Sequence, residues 1–236
     1  MAPAHVLVVD IGKTNAKLAL VDTAAMREAE TLTRPNAVLP GPPYPHADVE
    51  GLWSFIVEGA GALHRRHRVD ALVVTTHGAT AALVDAEGRL ALPVLDYEHP
   101  GPDELAPDYD RARPDFAETG TPRLPAGLVL GAQLYWQFYR FPEAQRTAAI
   151  LAWPQYWAFR LSGVAASEAT SLGCHTDLWD PRAGRASSLA ERRLRPAPGG
   201  GAAGERAGAG LDRGKQHDAP LQHGGRASPP PTRARP

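Results

Sequence analysis

Two apolar, β-branched runs near the start of the chain flank a short polar loop, and this pattern limits the possible folds more than any other feature. The runs at residues 5–10 and 15–22 predict two strands joined by a tight turn. Gly12 lets the backbone of that turn approach an anion closely, and successive N–H groups of the turn can face it. Asp10, at the end of a buried strand, is placed to organise Mg²⁺ through water. The same residues also fit a plain β-hairpin, because Asp-x-Gly turns are common between strands.

Composition indicates a substantial core and a reducing environment. The chain has 236 residues, 43% of them hydrophobic, which is enough for one large domain or two small ones. The net charge of −1 gives no reason to expect nucleic acid or an acidic membrane as a partner. Cys174 is the single cysteine, so no internal disulfide is possible and a cytoplasmic location is expected. The apolar run at residues 6–9 is too short for a signal peptide or a membrane span.

The composition of the chain changes near residue 187. Residues 187–236 contain nine Gly, seven Pro and no aromatic residue, and their large apolar side chains are four Leu. Nine basic and four acidic residues give this segment a net charge of +5, against −6 for residues 1–186. Such a segment cannot bury a core, so we expect one domain over residues 1–186 followed by a disordered, basic tail. The tail is either a natural segment for an anionic partner or, as we favour, a GC-rich coding sequence read out of frame.

The spacing of apolar residues predicts an α/β domain. A third antiparallel strand is expected near residues 27–33. Asp48 is expected to cap a helix over residues 49–68, in which apolar residues recur at helical spacing. A buried strand at residues 71–75 follows, and the helix supplies the crossover that parallel pairing requires. Further elements are expected to be a hairpin of residues 81–85 and 90–95 around Glu87-Gly88, and helices over residues 127–139 and 155–161.

The first loop resembles the first phosphate motif of the superfamily of sugar kinases, actin and Hsp70, and more narrowly the opening of the FGGY carbohydrate kinases. The motif reads Asp-x-Gly-x-Thr-Asn-x-Lys over residues 10–17. Three antiparallel strands, a crossover helix and a further strand are also the order of the ribonuclease-H-like fold of this superfamily. The resemblance implies that Asp10 is catalytic and organises Mg²⁺. It also implies that the phosphates of ATP contact Gly12, Lys13, Thr14, Asn15 and Lys17.

Lys13 departs from the family pattern. FGGY kinases usually have Thr or a small residue directly after the glycine of the motif, whereas this chain has a lysine. The Lys13 ammonium either reaches a phosphate or belongs to a solvated turn residue.

Two later segments resemble the sugar site of FGGY kinases, in particular of rhamnulokinase- and fuculokinase-like members. They are residues 75–85 and 92–99, where His77 and Tyr97 stand at two positions that are aromatic in the family. A sugar needs a flat apolar surface for its C–H face and fixed donors and acceptors for its hydroxyl groups. The candidate sugar contacts are His77, Gly78, Thr80, Tyr97, Glu98 and His99. The alternatives are a neutral histidine at a strand end for His77 and an ordinary surface histidine for His99.

Residues 119–163 match the same family, and most of their apolar side chains are expected in the core. The polar stretch from Glu168 to Ser171 resembles the segment that closes the first domain of these enzymes. Glu168 and Ser171 therefore either line the sugar pocket or cap a turn.

The resemblance covers about residues 5–182. Complete FGGY kinases have a second domain with the adenosine pocket, a second phosphate loop and the general base, and nothing after Ser187 resembles these. The chain is therefore interpreted as the N-terminal half of an ATP- and Mg²⁺-dependent kinase for a ketose-like sugar, inactive as this fragment. Two alternatives are a sugar-binding pseudokinase domain and a fragment of an actin- or Hsp70-type ATPase. No pattern in the sequence specifies an oligomeric state.

Overall fold

A four-stranded mixed sheet lies at the centre of the computed structural model, which describes residues 3–192. Within this range the strands are β1 (His5–Ile11), β2 (Asn15–Asp22), β3 (Arg27–Pro35), β4 (Val38–Leu39), β5 (His46–Ala47), β6 (Ala71–Thr76), β7 (Ala81–Asp85), β8 (Thr147–Ala152), β9 (Trp179–Asp180) and β10 (Arg185–Ala186). The central sheet has the order β3-β2-β1-β6, and β1 pairs antiparallel with β2 and parallel with β6. The four strands predicted for this part of the chain, and the α/β class, are confirmed. The strand at residues 71–75 is not buried as predicted, because β6 lies at the sheet edge with Leu72 and Val73 40% and 48% exposed.

The helices connect and cover the strands. Within the described residues they are α1 (Val49–His67), α2 (Ala106–Ala112), α3 (Phe116–Thr119), α4 (Leu130–Arg140), α5 (Trp153–Ser162), α6 (Ala169–Leu172) and α7 (Ser188–Glu191), with 3₁₀ helices at Gly101–Leu105 and Pro142–Arg146. The helices predicted over residues 49–68, 127–139 and 155–161 correspond to α1, α4 and α5. No helix in residues 3–192 has both the length and the apolar character needed to cross a membrane.

Buried apolar side chains recur at every second position along much of β1 and β2, and they form one apolar face of the sheet. Its fully buried residues are Leu7, Val9, Ile11, Ala16, Leu18 and Leu20. Side chains of a strand point alternately to opposite faces, so Asp10 lies on the other face, opposite Lys17 on β2 and beside Thr75 on β6. The apolar stripe of α1, which includes Leu52 and Ile56, covers the buried face.

Helix α1 begins and packs as its sequence indicates. The Asp48 side chain accepts a hydrogen bond of 3.0 Å from the N–H of Gly51 and one of 2.8 Å from Arg34. This confirms the predicted N-cap. Gly59 faces β2, where an added Cβ would lie 2.4 Å from Cδ1 of Leu18, so the glycine allows the helix to approach the sheet closely.

The hairpin predicted for residues 81–85 and 90–95 is wrong in its second strand. The turn itself forms, since the Asp85 carboxylate accepts hydrogen bonds from the N–H groups of Glu87 and Arg89. Beyond an isolated bridge from Val84 to Leu90, however, the partner of β7 is β8. Residues 90–95 instead run into the interior, where Val94 accepts a hydrogen bond of 2.9 Å from Ala47. Pro93, which lacks an N–H, is unsuited to a continued strand pair.

The packed part of the chain extends past the domain boundary predicted at residues 186/187. Ser187 and Leu189 are fully buried, and Leu189 packs in the hydrophobic cluster that surrounds α4 and β8. The Ser187 hydroxyl donates a hydrogen bond of 2.6 Å to the backbone carbonyl of Asp177. Local composition does not reveal this packing, because one leucine in a Gly- and Arg-rich stretch is enough to anchor a single helical turn. The rest of the predicted tail, residues 193–236, lies outside the described residues.

Candidate functional site

The candidate site lies where β1 and β6 end at the same edge of the sheet. Parallel strands bring their carboxyl ends together, and the loops that follow them are the usual place for ligands in α/β proteins. The N–H of His77, directly after β6, donates a hydrogen bond of 3.0 Å to the carbonyl of Ile11 at the end of β1. The predicted phosphate turn and the predicted sugar segment are therefore neighbours in space.

The turn between β1 and β2 is tightly closed. The N–H of Gly12 donates to the carbonyl of Asn15 at 2.9 Å, so this N–H is not directed at an anion. Asn36 closes the turn from outside, because its side-chain amide donates to the Gly12 carbonyl at 2.7 Å and its N–H donates to the Thr14 carbonyl at 2.8 Å. Thr14 and Asn15 are exposed at the tip. Together with half-buried Asp10, these two residues are therefore the members of the motif that remain open to a ligand.

Asn36 was missed by the sequence analysis. Its signal is the Pro35-Asn36 pair after β3, because asparagine commonly bonds to nearby backbone groups at a turn.

In the structure, the Lys13 ammonium is paired with carboxylates of the loop that contains Tyr97. Its ammonium bonds to the Asp96 carboxylate, lies 3.3 Å from a carboxylate oxygen of Glu98 and lies 4.8 Å from the centre of the Tyr97 ring. Burial lowers the pKa of Lys13, but the hydrogen bond to Asp96 and the two nearby carboxylates outweigh it and raise the pKa above its ordinary value of 10.5. Lys13 is thus a fixed cation of the predicted sugar segment.

Lys17 is also paired elsewhere. Its ammonium lies 2.6 Å from a carboxylate oxygen of Glu28 on β3, in a partly exposed ion pair. The burial of Lys17 and Glu28 is that of a surface pair, for which the energetic contribution is small.

His77 and Tyr97 form the aromatic part of the site. Their rings are 5.3 Å apart and inclined by 57°, and both side chains are half-buried. Nδ1 of His77 lies 2.9 Å from the Gly78 carbonyl, which can only accept, so Nδ1 carries the proton and Nε2 is left as an acceptor. Burial lowers the pKa of His77 below its ordinary value of 6.5 and the charge of Lys13 lowers it further, while the bond to Gly78 opposes them. The imidazole is therefore neutral at pH 7.

The remaining sugar-site candidates differ in their surroundings. Thr80 is buried below His77, with its hydroxyl 3.5 Å from Nδ1. The space in front of Gly78 is open, because an added Cβ would meet nothing within 4 Å. Glu98 is exposed and joins the site through Lys13.

Two further predicted side chains, His99 and Glu168, make structural contacts. The ring of His99 packs against Trp136, with ring centres 5.6 Å apart. Glu168 caps α6 by accepting hydrogen bonds from the N–H groups of Thr170 and Ser171. Of the two alternatives for Glu168 and Ser171, capping is the one that the structure shows.

Gln133 on α4 supports the site from behind and was missed by the sequence analysis. It is almost fully buried, and its amide donates to the carbonyls of Ala79 and Gly127. The N–H of Gly127 donates in turn to the Tyr97 carbonyl at 3.0 Å, and a Cβ at Gly127 would lie 2.7 Å from that oxygen. One amide therefore holds both loops that carry the aromatic pair. The sequence signal for such a role is weak, because α4 carries two buried amides, Gln133 and Gln137, among apolar residues.

Asp10 fits an Mg²⁺ ion held mainly by water and phosphate. Its half-buried carboxylate stands at the end of β1, and within residues 3–192 no three His, Cys, Asp or Glu side chains converge as a metal-binding group. Mg²⁺ commonly keeps several waters and takes one or two carboxylates together with substrate phosphates. A single carboxylate beside an exposed turn matches that mode of binding.

Comparisons with known proteins place the fold among carbohydrate kinases. No family model and no curated protein matches the sequence. The structure is similar to that of a carbohydrate kinase from Novosphingobium aromaticivorans, with 38% identity and a TM-score of 0.75 over 82% of this chain and 41% of that chain. A xylulose kinase from Lactobacillus acidophilus shares the fold at 14% identity and a TM-score of 0.68, over 81% and 40% of the two chains. A Plasmodium falciparum glycerol kinase with ADP also shares the fold. Its sequence identity is 15% and its TM-score is 0.65, over 81% of this chain and 42% of that chain.

This chain spans about two fifths of the length of the kinases that it matches. Its described part has the mixed α/β fold, with a partly parallel sheet, that these carbohydrate kinases contain.

Proposed function

We propose that the chain is the sugar-binding part of an ATP- and Mg²⁺-dependent carbohydrate kinase of the FGGY family, with the ribonuclease-H-like fold of that superfamily. The observation that carries the proposal is the pairing of His77 and Tyr97, 5.3 Å apart, at the sheet edge where the turn after Asp10 also lies. The 38% identity to a carbohydrate kinase supports the same assignment.

The sugar side of the site offers the chemistry that a polyhydroxy ligand needs. The Tyr97 ring supplies an apolar surface for a C–H face. Nε2 of neutral His77 accepts a hydrogen bond from one hydroxyl, and the carboxylates of Asp96 and Glu98 accept from others. The open space at Gly78 leaves room for the ligand beside His77. We propose a ketose-like sugar as the ligand.

The phosphate side is proposed to act by position and charge. Phosphoryl transfer depends on alignment of the reacting groups and on stabilisation of the charge that spreads over the phosphate oxygens. Asp10 would hold Mg²⁺ through water, and exposed Thr14 and Asn15 would contact phosphate oxygens. When bound, Mg²⁺ neutralises part of the phosphate charge.

Transfer itself is proposed for a protein that contains the remaining part of the kinases matched here. The chain by itself is proposed to bind a sugar without phosphorylating it, in a cytoplasmic setting. An actin- or Hsp70-type ATPase gives no reason for the aromatic pair beside the turn, so we favour the sugar kinase.

Sugar binding by the purified 236-residue chain is the first test. Calorimetric titration with D-xylulose, L-rhamnulose, L-fuculose and D-fructose, without nucleotide, is expected to give saturable binding of at least one ketose. His77→Ala is expected to weaken that binding. The absence of binding for the whole panel contradicts the proposal.

The role of Asp10 is tested in a chimera of this chain with the part of the Novosphingobium aromaticivorans kinase that lies outside the match. Asp10→Asn keeps the shape of the side chain and removes its charge, so kcat is expected to fall about 100-fold or more while sugar affinity is retained. The matched control is Asp22→Asn. Asp22 ends β2 and caps a turn by accepting from the N–H groups of Ala24 and Ala25, which an asparagine can also do. Normal turnover in Asp10→Asn would remove the phosphate-site assignment.

A further inference from the structure

Lys13 links the turn after β1 to the loop formed by residues 95–99. Its ammonium bonds to Asp96, contacts Glu98 at 3.3 Å and stands 4.8 Å from the centre of the Tyr97 ring. The side chains of Lys13 and Asp96 are only 26% and 12% exposed, so this pair is more strongly coupled than an ordinary surface ion pair. One cation therefore touches three consecutive residues of the loop.

The backbone of this loop is held at several points, but the Tyr97 ring is not held by them. The N–H of Asp96 donates to the Pro45 carbonyl at 3.0 Å, and the Tyr97 carbonyl accepts from Gly127 at 3.0 Å. The ring itself is in contact with His77 on one side and the Lys13 ammonium on another. A cation over an aromatic face is attracted to it, so Lys13 fixes the plane of the ring.

The charges around the ring are unequal. Around the ring lie the Lys13 cation and the carboxylates of Asp96 and Glu98, and the His77 imidazole is neutral. The sum of these charges is one net negative charge. Because Lys13 is already paired with two carboxylates, it is not free to bind the carboxylate of an incoming sugar acid. A neutral polyol can donate its hydroxyl hydrogens to these carboxylates, whereas an anionic ligand is repelled by them.

We propose that Lys13 is a positioning residue that holds the Asp96–Tyr97–Glu98 loop, and that the resulting site selects neutral sugars over sugar acids. The selectivity rests on the proposed function, because it assumes that the ligand is a sugar. The holding role of Lys13 is independent of it and is tested separately.

The first experiment measures amide hydrogen exchange in the 236-residue chain without ligand. The N–H of Glu98 lies 3.3 Å from the Asp96 carboxylate, and the N–H of His99 donates to the Asp96 carbonyl at 3.0 Å, so both report on this loop. In Lys13→Met their exchange is expected to accelerate about tenfold, with Lys13→Arg close to the original chain, because Arg restores a cation at this position. The control is Arg66→Met, which removes an ion pair with Glu30 near the end of α1. Unchanged exchange in a folded Lys13→Met chain would overturn the holding role.

The second experiment compares pairs of ligands that differ at one terminal carbon, which is neutral in one ligand and a carboxylate in the other. D-Fructose and D-fructuronate, and D-tagatose and D-tagaturonate, differ by oxidation of one terminal CH₂OH group to a carboxylate. Titration calorimetry is expected to show at least about tenfold weaker binding of each acid, and a similar loss for the neutral sugar in Lys13→Met but not in Lys13→Arg. Equal or tighter binding of the acids would overturn the selectivity. If no sugar binds, the proposed function fails, and the exchange comparison still decides the role of Lys13.

Discussion

In the proposed site, the protonation state of His77 decides which hydrogen bonds its ring can make. Its Nδ1–H is held by the Gly78 carbonyl, so Nε2 is the ring nitrogen left to accept a hydrogen bond from the proposed ligand. The charged groups around it are Lys13, Asp96 and Glu98, and burial is the largest influence on its pKa, which lies below the ordinary value of 6.5. Protonation would convert Nε2 from an acceptor into a donor.

Acidification is expected to weaken both sugar binding and folding through His77. Because the pKa of His77 is lower in the folded chain than in the unfolded chain, the unfolded chain binds the proton first as the pH falls below about 6.5. The free energy of unfolding should therefore decrease from pH 6.5 downwards, and increase as the pH rises through the same window. The original chain and His77→Gln are compared from pH 7.5 to pH 5, by urea denaturation for stability and by calorimetry for sugar binding. The pH dependence that His77 contributes should vanish in His77→Gln. Identical pH profiles for the two proteins would contradict the assignment.

Gln133 is expected to contribute more to the free energy of unfolding than the partly buried Gln145 does. Gln133→Leu retains the volume but leaves the carbonyls of Ala79 and Gly127 without their donor, which should cost about 1–3 kcal/mol. Gln145→Leu serves as the control, because Gln145 makes only one long bond of 3.3 Å to the Phe138 carbonyl. Urea denaturation measures both. Equal losses would show that Gln133 does not act through these two carbonyls.

At the scale of elements, α1 and the central sheet follow from local signals. The alternation in β1 and β2, the Asp48 cap and the helical spacing of apolar residues are all contained in one contiguous stretch. The pairing of β7 was not predictable in this way, because its partner β8 lies far along the chain and Leu90 offers an equally apolar neighbour.

The contrast between local signals and distant partners also decides which parts of the candidate site could be predicted from the sequence. The turn and the aromatic pair could be located from sequence because the residues concerned directly follow β1 and β6 or resemble a family motif. The partners of Lys13 and Lys17 could not, since a long flexible side chain reaches carboxylates on other segments, here Asp96 and Glu28. Their charges in the motif indicated phosphate, whereas their actual partners are anions of the chain itself.

Two glycines of α1 provide a matched test of its packing. Gly59→Ala would place a Cβ 2.4 Å from Leu18, and the resulting displacement should cost about 1–3 kcal/mol despite the better helix propensity of alanine. Gly61→Ala meets only the flexible end of Arg65, 3.5 Å away, and should stabilise the protein by about 0.5–1 kcal/mol. Melting temperatures should therefore move in opposite directions. A stabilising Gly59→Ala would mean that α1 does not rest on β2 as described.

At the scale of the whole molecule, helix α7 completes the hydrophobic cluster around α4 and β8. Leu189 and Ala190 of α7 are buried in the cluster around α4 and β8, and Ser188 bonds to Glu118. The chain as far as Arg192 therefore behaves as part of the packed domain.

Truncation variants are expected to separate this helix from the sequence beyond it. A chain ending at residue 186 loses the buried Leu189, and should be less stable than one ending at residue 192 by about 1.5–3 kcal/mol or more. The Gly- and Pro-rich composition of residues 193–236 predicts that their removal leaves the melting temperature unchanged. Equal stability of the two truncated chains would contradict the role of α7.

The central claim is that His77 and Tyr97 bind a sugar at the shared edge of β1 and β6. Nuclear magnetic resonance of the histidine ring signals at pH 7, during titration with a neutral ketose from the panel, tests it most directly. The account predicts a saturable shift of the His77 ring signal, with little change at His64 near the end of α1. Ketose titrations that leave His77 unmoved, or that shift His64 by as much, would contradict it.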